Sequence, residues 1–111
     1  MSWQQQLERI AALPDNWDSY GAPAPTAEHI AVLRSTIEAA VVRFGTKGTP
    51  YHVVPDLITW RGAGGDLEVS TGLDDEYGYL VMPTDDPATW TEGWADLEGI
   101  LALIGEAVKA T

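Results

Sequence analysis

The chain contains no cysteine, which excludes disulfide bonds, thiolate chemistry and cysteine-ligated zinc. It also lacks an apolar run close to the roughly 20 residues that a membrane-spanning helix requires. Residues 1–10 are polar and helical in pattern, without the apolar segment of a secretory signal. These absences predict a cytoplasmic protein that does not associate with membranes.

Basic residues are almost missing from the second half of the chain. Residues 62–111 hold eleven acidic residues and one base, Lys109, whereas residues 1–61 hold six acidic and five basic residues. The two halves therefore carry net charges of −10 and −1 within a total of −11. Such a surface repels nucleic acid and anionic membranes and attracts basic partners. A plainer alternative is that the acidity only keeps a small protein in solution.

Recognisable catalytic and metal-binding motifs are missing as well. His29 and His52 have no neighbouring serine or acid pattern of the kind that supports nucleophilic catalysis. The acidic runs at residues 74–76 and 85–86 lack the alternating spacing and central glycine of a calcium loop, which favours solvated turns over weak Ca²⁺ or Mg²⁺ sites. We therefore expect no enzymatic activity, no metal site and no cofactor.

The glycine-rich segment at residues 62–65 resembles a phosphate-binding loop only superficially. A phosphate-binding loop of this type continues through Gly-Lys-Ser/Thr into a helix. Here the acidic Asp66 follows the glycines and a strand pattern comes next. The segment therefore predicts the turn of a β-hairpin.

The apolar residues that are present repeat with helical and strand periods. Helical spacing predicts a helix over residues 3–13, with Ser2 as its cap and Gln5 completing a capping box. It predicts a second helix from a cap at Thr26 to a terminating Gly45 and a third over residues 90–108. In the last helix, Trp90 and Trp94 fall on the apolar stripe, and Leu103 lies on the acidic face. Alternating apolar residues predict strands over residues 51–54, 57–61, 66–71 and 77–82.

These elements predict a single α+β domain over residues 1–111. The order gives two N-terminal helices, an antiparallel β-meander of three to four strands and a C-terminal helix, with the helices packed on one sheet face. Hydrophobic residues make up 45% of the chain and five are tryptophan, which is enough apolar material for one core. Trp17 and Tyr20 in the loop before the second helix are expected to pack onto that core.

Two segments are similar to a known group of proteins. Residues 13–25 read LPDNWDSYGAPAP, and residues 58–69 read ITWRGAGGDLEV. Together they resemble small bacterial and phage proteins in which an NWDxYGAxxP motif precedes a helix and a Trp-Gly-rich β-hairpin. The resemblance spans residues 7–71 and does not extend to the C-terminal helix. It implies a bacterial or phage origin and this order of elements, and it carries over no catalytic residue.

The one-sided charge favours a protein-interaction module that binds and inhibits a basic partner. The partner expected is a nucleic-acid-handling protein, blocked in the manner of an anti-CRISPR protein or an antitoxin, without direct contact to nucleic acid. We expect the contacts to come from nine acidic residues of the second half: Asp66, Glu68, Asp74, Asp75, Glu76, Asp85, Asp86, Glu92 and Asp96.

Two other functions remain open at this point. A homo-oligomeric structural subunit, such as a homodimer, would use Leu103 and exposed aromatic residues as its self-interface. A small ligand-binding domain would need a pocket lined by Trp17, Tyr20, Trp60 and a carboxylate. A deep apolar cleft would favour ligand binding, and a flat acidic face would favour a protein partner.

Overall fold

The computed structural model describes residues 2–71 and 76–108 of the chain. Helix α1 spans Trp3–Ala11, and helix α2 spans Ala27–Phe44 with a short 3-10 helix, Gly45–Gly48, after it. The strands are β1 (His52–Val54), β2 (Leu57–Gly62), β3 (Gly65–Thr71), β4 (Tyr77–Pro83) and β5 (Thr91–Ala95). A second 3-10 helix, Pro87–Thr89, precedes β5, and helix α3 spans Leu97–Ala107.

The predicted caps of the first two helices are present. The hydroxyl oxygen of Ser2 accepts a hydrogen bond from the Gln5 amide at 3.2 Å, and the Gln5 side chain accepts one from the Ser2 amide at 3.1 Å. Thr26 caps α2, and Gly45 ends it with a positive φ of 65°. Helix α1 ends before the expected residue 13. Within the described part of the chain, no helix has both the length and the apolar character needed to cross a membrane.

The five strands form one antiparallel sheet in the order β1-β2-β3-β4-β5. Each strand therefore pairs with its neighbour in sequence. The register places Ile58 opposite Val69 and, on the alternate positions, Glu68 opposite Leu80. Because successive residues of a strand point to opposite faces, these pairs mark the two faces of the sheet.

One face of the sheet is buried against the helices. Its core residues are Val53, Ile58, Trp60, Leu67, Val69 and Tyr77, and the helices contribute Leu7, Leu33, Ile37, Ile100 and Ile104 among others. All of these belong to one continuous apolar cluster. The packing therefore gives a two-layer arrangement with helices on one side of the sheet.

Polar atoms inside this core are paired. The Trp60 indole N–H donates to the Gly48 carbonyl oxygen at 2.8 Å, which ties β2 to the turn after α2. The buried Thr36 hydroxyl on α2 lies 3.1 Å from the Tyr77 hydroxyl on β4. Pairing avoids the cost of about 1–3 kcal/mol that an unsatisfied buried polar group carries.

The predicted α+β class and antiparallel meander are confirmed, but the sheet has five strands rather than three to four. The extra strand comes from residues 90–108, where the prediction of a single helix is wrong. This segment forms β5, passes through Asp96 and then forms α3. The Asp96 carboxylate accepts a hydrogen bond from the Gly99 amide at 2.9 Å, so Asp96 starts a new helix instead of lying inside a longer one.

The division of this segment reverses the expected exposure of three residues. Trp90, directly before β5, and Trp94, within it, are 52% and 68% exposed, because neither belongs to the stripe that α3 buries. Leu103 is half-buried and packs against the core rather than lying on an exposed acidic face. In a helix that begins at Leu97, the buried stripe is centred on Ile100 and Ile104, and Leu103 flanks it.

The glycine-rich turn between β2 and β3 approaches the end of α3 closely. The Gly64 amide donates to the Ala107 carbonyl oxygen at 3.0 Å, and a Cβ at Gly64 would lie 1.9 Å from the Glu106 carbonyl oxygen. Only glycine permits this backbone approach. The predicted hairpin is confirmed, and the Gly64 amide is occupied by the last turn of α3.

Replacing Asp96 by alanine should lower the free energy of unfolding by about 1 kcal/mol, because the first turn of α3 loses its cap. In a continuous helix the same change would be neutral or stabilising, since alanine is the better helix former. Urea unfolding followed by circular dichroism measures the difference. The exposed Glu92→Ala variant is the control and should change stability by less than about 0.5 kcal/mol.

Candidate functional site

The sheet face turned away from the core carries exposed or half-buried side chains in the described residues, apart from Gly78. One row crosses all five strands and contains His52, Thr59, Glu68, Leu80 and Glu92. In the adjacent row Gly78 on β4 lies opposite Trp94 on β5. We call this surface the open face. It combines acidic and apolar groups in one plane.

Trp94 is held in an exposed position on the open face. A Cβ at Gly78 would lie 3.4 Å from Cζ3 of the Trp94 indole and 2.8 Å from Oγ of Ser70. The missing side chain at Gly78 therefore leaves room for the indole ring to lie across β4. A large aromatic ring that is supported on one side and open on the other is the kind of group that dominates binding energy in protein interfaces.

Glu68 and Glu92 lie in one row, on either side of Leu80. Among the described residues, neither carboxylate has an ion-pair partner. An open cleft of about 600 Å³ runs along this part of the face and is lined by Leu57, Glu68, Ser70, Gly78, Tyr79, Leu80, Glu92, Gly93 and Trp94. The cleft therefore combines two carboxylates that have no ion-pair partner in the described residues with apolar side chains and an indole ring.

Asp66 lies on the same face, but its charge is compensated. Its Oδ1 atom is 2.9 Å from Nε of Arg61, whose guanidinium carbon lies 4.1 Å from the centre of the Tyr51 ring. The hydrogen bond from Arg61 to Asp66 raises the pKa of Arg61. Asp66 thus differs from Glu68 and Glu92, which have no such ion pair among the described residues.

None of the other predicted contact residues that the structure describes lines this cleft. Asp96 is engaged as the cap of α3, and Glu76, Asp85 and Asp86 are exposed outside the strands. Asp74 and Asp75 lie outside the described residues. Of the nine predicted contact residues, Glu68 and Glu92 line the cleft.

The two histidines have different surroundings. The ring nitrogens of the half-buried His29 face the Pro55 carbonyl oxygen and, at 3.4 Å, the Thr71 hydroxyl, which links α2 to the sheet. His52 is exposed on β1 opposite Thr59. Within residues 2–71 and 76–108, no three histidine or acidic side chains are grouped closely enough to hold a metal ion.

Residues 15–25, the NWD loop, are held together by their own side chains. The side-chain oxygens of three residues accept backbone hydrogen bonds: Asp15 from Ala24 at 2.8 Å, Asn16 from Gly21 at 2.6 Å and Asp18 from Tyr20 at 2.8 Å. Asn16 and Ser19 have positive φ angles of 63° and 66°. This conformation is unfavourable for serine, and the surrounding hydrogen bonds stabilise it.

The prediction that Trp17 and Tyr20 pack onto the core is wrong for Tyr20, and Trp17 is not among the half-buried residues packed against the core cluster. Trp17 is half-buried, with its indole N–H bonded to the Pro23 carbonyl oxygen at 3.0 Å, whereas Tyr20 is 93% exposed. Trp60 is completely buried, so it cannot line an open pocket. The aromatic ligand pocket expected from these three residues is therefore not formed.

Sequence reasoning missed Trp94, Leu57 and Leu80 as members of the site. The signal was present in residues 91–95, where small and large residues alternate before Asp96, a residue typical of helix caps. This alternation indicates a strand with Glu92 and Trp94 on one face. Helical spacing of Trp90 and Trp94 obscured it.

Comparisons with protein-family models, with curated proteins and with solved structures find no match to this chain. The resemblance of the NWD loop and the following hairpin to small bacterial and phage proteins stays a prediction.

The NWD loop should become less stable in acid. Hydrogen bonds from the Tyr20 and Ala22 amides lower the pKa of Asp18 below its ordinary value. The resulting stability is present above the pKa of about 3.9 of an unfolded aspartate and is lost as the pH falls through the lower folded pKa. Asp18→Asn should therefore destabilise the protein at neutral pH, by an amount that shrinks below about pH 4.

Urea unfolding at a series of pH values measures this difference. Asp85→Asn, in an exposed loop, is the control and should show no comparable pH-dependent change. A destabilisation by Asp18→Asn that is the same at every pH would contradict a role for the Asp18 charge.

Proposed function

We propose that this chain is an acidic protein-interaction module whose open face binds and inhibits a basic, nucleic-acid-handling protein. The observation that supports it is the cleft in which Glu68 and Glu92, neither of which has an ion-pair partner among the described residues, lie beside the exposed Trp94. A basic side chain that enters this cleft gains both charge pairing and aromatic contact.

The chemistry of the cleft suits arginine and lysine side chains. A guanidinium group pairs with a carboxylate through two hydrogen bonds and also stacks on an indole ring. Such a cation–π contact contributes about 0.5–2 kcal/mol, depending on how far it is desolvated. The apolar stem of a basic side chain can cover Leu80, while its charged end reaches Glu68 or Glu92.

The charge of the whole second half supports the same kind of partner. A field from a net charge of −10 over residues 62–111 accelerates the encounter with a positive surface and makes binding sensitive to salt. Nucleic-acid-binding proteins present basic side chains that neutralise phosphates. An acidic protein bound to those side chains prevents the nucleic acid from binding. This anti-CRISPR-like or antitoxin-like inhibition is the mode of action proposed here.

The size of the molecule is compatible with this role. The surface area described for the chain is 6682 Å², and a standard interface buries about 800 Å² on each partner. One face of the sheet is therefore enough for a specific complex.

Self-association through the same face is the second candidate. Leu80 and the exposed Trp94 favour it, because two such faces would bury apolar surface together. The net charge of −11 on each copy opposes it. Size-exclusion chromatography over a dilution series distinguishes self-association from binding to a different protein. A chain that stays monomeric at high concentration would exclude self-association.

Reversing the two cleft charges should weaken partner binding. The partner is identified by capture at low salt from a bacterial lysate and should be a basic nucleic-acid-binding protein that is released at about 0.5 M salt. Against this purified partner, Glu68→Lys combined with Glu92→Lys should lower the association rate constant by about tenfold or more at low salt. Stopped-flow mixing measures the rate.

The matched control reverses Glu8 and Glu38, which are exposed on α1 and α2 and change the net charge by the same amount. It should reduce the rate much less. Equal effects of the two double variants would show that the total charge, and not the open face, determines binding.

Replacing Trp94 by alanine should raise the dissociation constant for the same partner by about 30-fold, corresponding to about 2 kcal/mol, because an exposed tryptophan in an interface centre is a typical hot spot. Isothermal titration calorimetry measures this constant. Trp90→Ala is the control, since Trp90 is also exposed but does not line the cleft. An unchanged dissociation constant for Trp94→Ala would argue against the cleft as the binding site.

A further inference from the structure

The two edges of the sheet differ in how they are covered. At the β1 edge, the Val53 amide donates to the Gln6 side chain of α1 at 2.9 Å, and α1 packs along this strand. At the β5 edge, among residues 2–71 and 76–108, no side chain or turn bonds to the backbone of Thr91–Ala95 from the side away from β4. Strand β5 therefore presents unpaired backbone groups.

Strand β5 also lacks the residues that commonly block an edge. It contains no proline, whose missing N–H interrupts pairing, and no lysine. Its core-side residues, Thr91, Gly93 and Ala95, are small, while Glu92 and Trp94 point to the open face. An additional strand would thus meet little steric obstruction on the core side and would place alternate side chains beside Glu92 and Trp94.

We infer that the partner binds by adding an extended basic segment to β5 as a sixth strand of the sheet. This inference rests on the proposed function and specifies its geometry. Backbone hydrogen bonds to β5 provide affinity, and basic side chains at every second position of the segment provide specificity. Those side chains lie on the open face, where a directly opposite cross-strand neighbour is about 5 Å away between Cβ atoms.

Charge favours a basic segment over a second copy of the chain as the added strand. Pairing β5 with another β5 brings two Glu92 carboxylates into one small region and joins two molecules that each carry a net charge of −11. A basic segment instead neutralises Glu92 and places a cation over Trp94. Glu92 therefore discourages self-pairing while favouring the basic strand.

The test uses a defined probe, an alternating arginine–threonine peptide of about eight residues, which matches the length of an ordinary strand. Two further peptides carry N-methyl groups either on all arginines or on all threonines. In an added strand the N–H groups of alternate residues face the sheet edge, so only one of these two sets contacts β5. Isothermal titration calorimetry with the full chain measures all three affinities.

We expect one N-methylated peptide to bind at least about tenfold more weakly than the parent and the other to bind nearly as well as the parent. Amide hydrogen exchange should slow within Thr91–Ala95 when the parent peptide binds, and should not slow at His52–Val54. Strand addition would be overturned if the two N-methylated peptides had equal affinities, whether both bind as tightly as the parent or both bind weakly. It would also be overturned if amide hydrogen exchange in β5 did not change on binding of the parent peptide.

The Glu68→Lys, Glu92→Lys double variant separates failure of this inference from failure of the proposed function. If the parent peptide loses affinity for that variant but the N-methylated pair shows no difference, the open face still binds basic chains and only strand addition is wrong. If the peptide binds the double variant as tightly as the natural chain, or does not bind the natural chain, both proposals fail.

Discussion

Helices α2 and α3 bury their apolar side chains against one face of the sheet, and this one-sided packing determines the character of the other face. Ile37 and Ile104 share a core with Ile58, Trp60 and other sheet residues. A sheet covered on one side exposes its other face to water, and there Glu68 and Glu92 have no ion-pair partner within residues 2–71 and 76–108. The packing that stabilises the domain thus also leaves the open face in contact with water.

The fold class was predictable because most segments have a single dominant period. Ser2 and Thr26 begin α1 and α2 as their side chains indicate, and the run from Leu57 to Thr71 forms the hairpin that its alternation and glycines predict. Residues 90–108 were not predictable in this way, because a spacing of four between Trp90 and Trp94 fits both a helix and the same face of a strand. The cap at Asp96 decides between them.

The candidate site was predictable only in part, for a related reason. Composition marks Glu68 and Glu92 as acidic, but it cannot separate them from Asp66, paired with Arg61, or from Asp96, used as a helix cap. The first distinction depends on a contact between neighbouring strands, and the second on where α3 begins. Trp94 was missed because its exposure follows from the helix boundary and from the space above Gly78.

The consecutive strand order has a kinetic consequence. Each strand pairs with the next one along the chain, so the sheet can grow through short loop closures, which are the fast steps of folding. Without cysteine, no slow disulfide exchange enters the pathway. The contact between α1 and β1 spans a longer stretch of the chain, since the Val53 amide bonds to the Gln6 side chain. A sheet of this order therefore needs no long-range chain crossing for its own strands to pair.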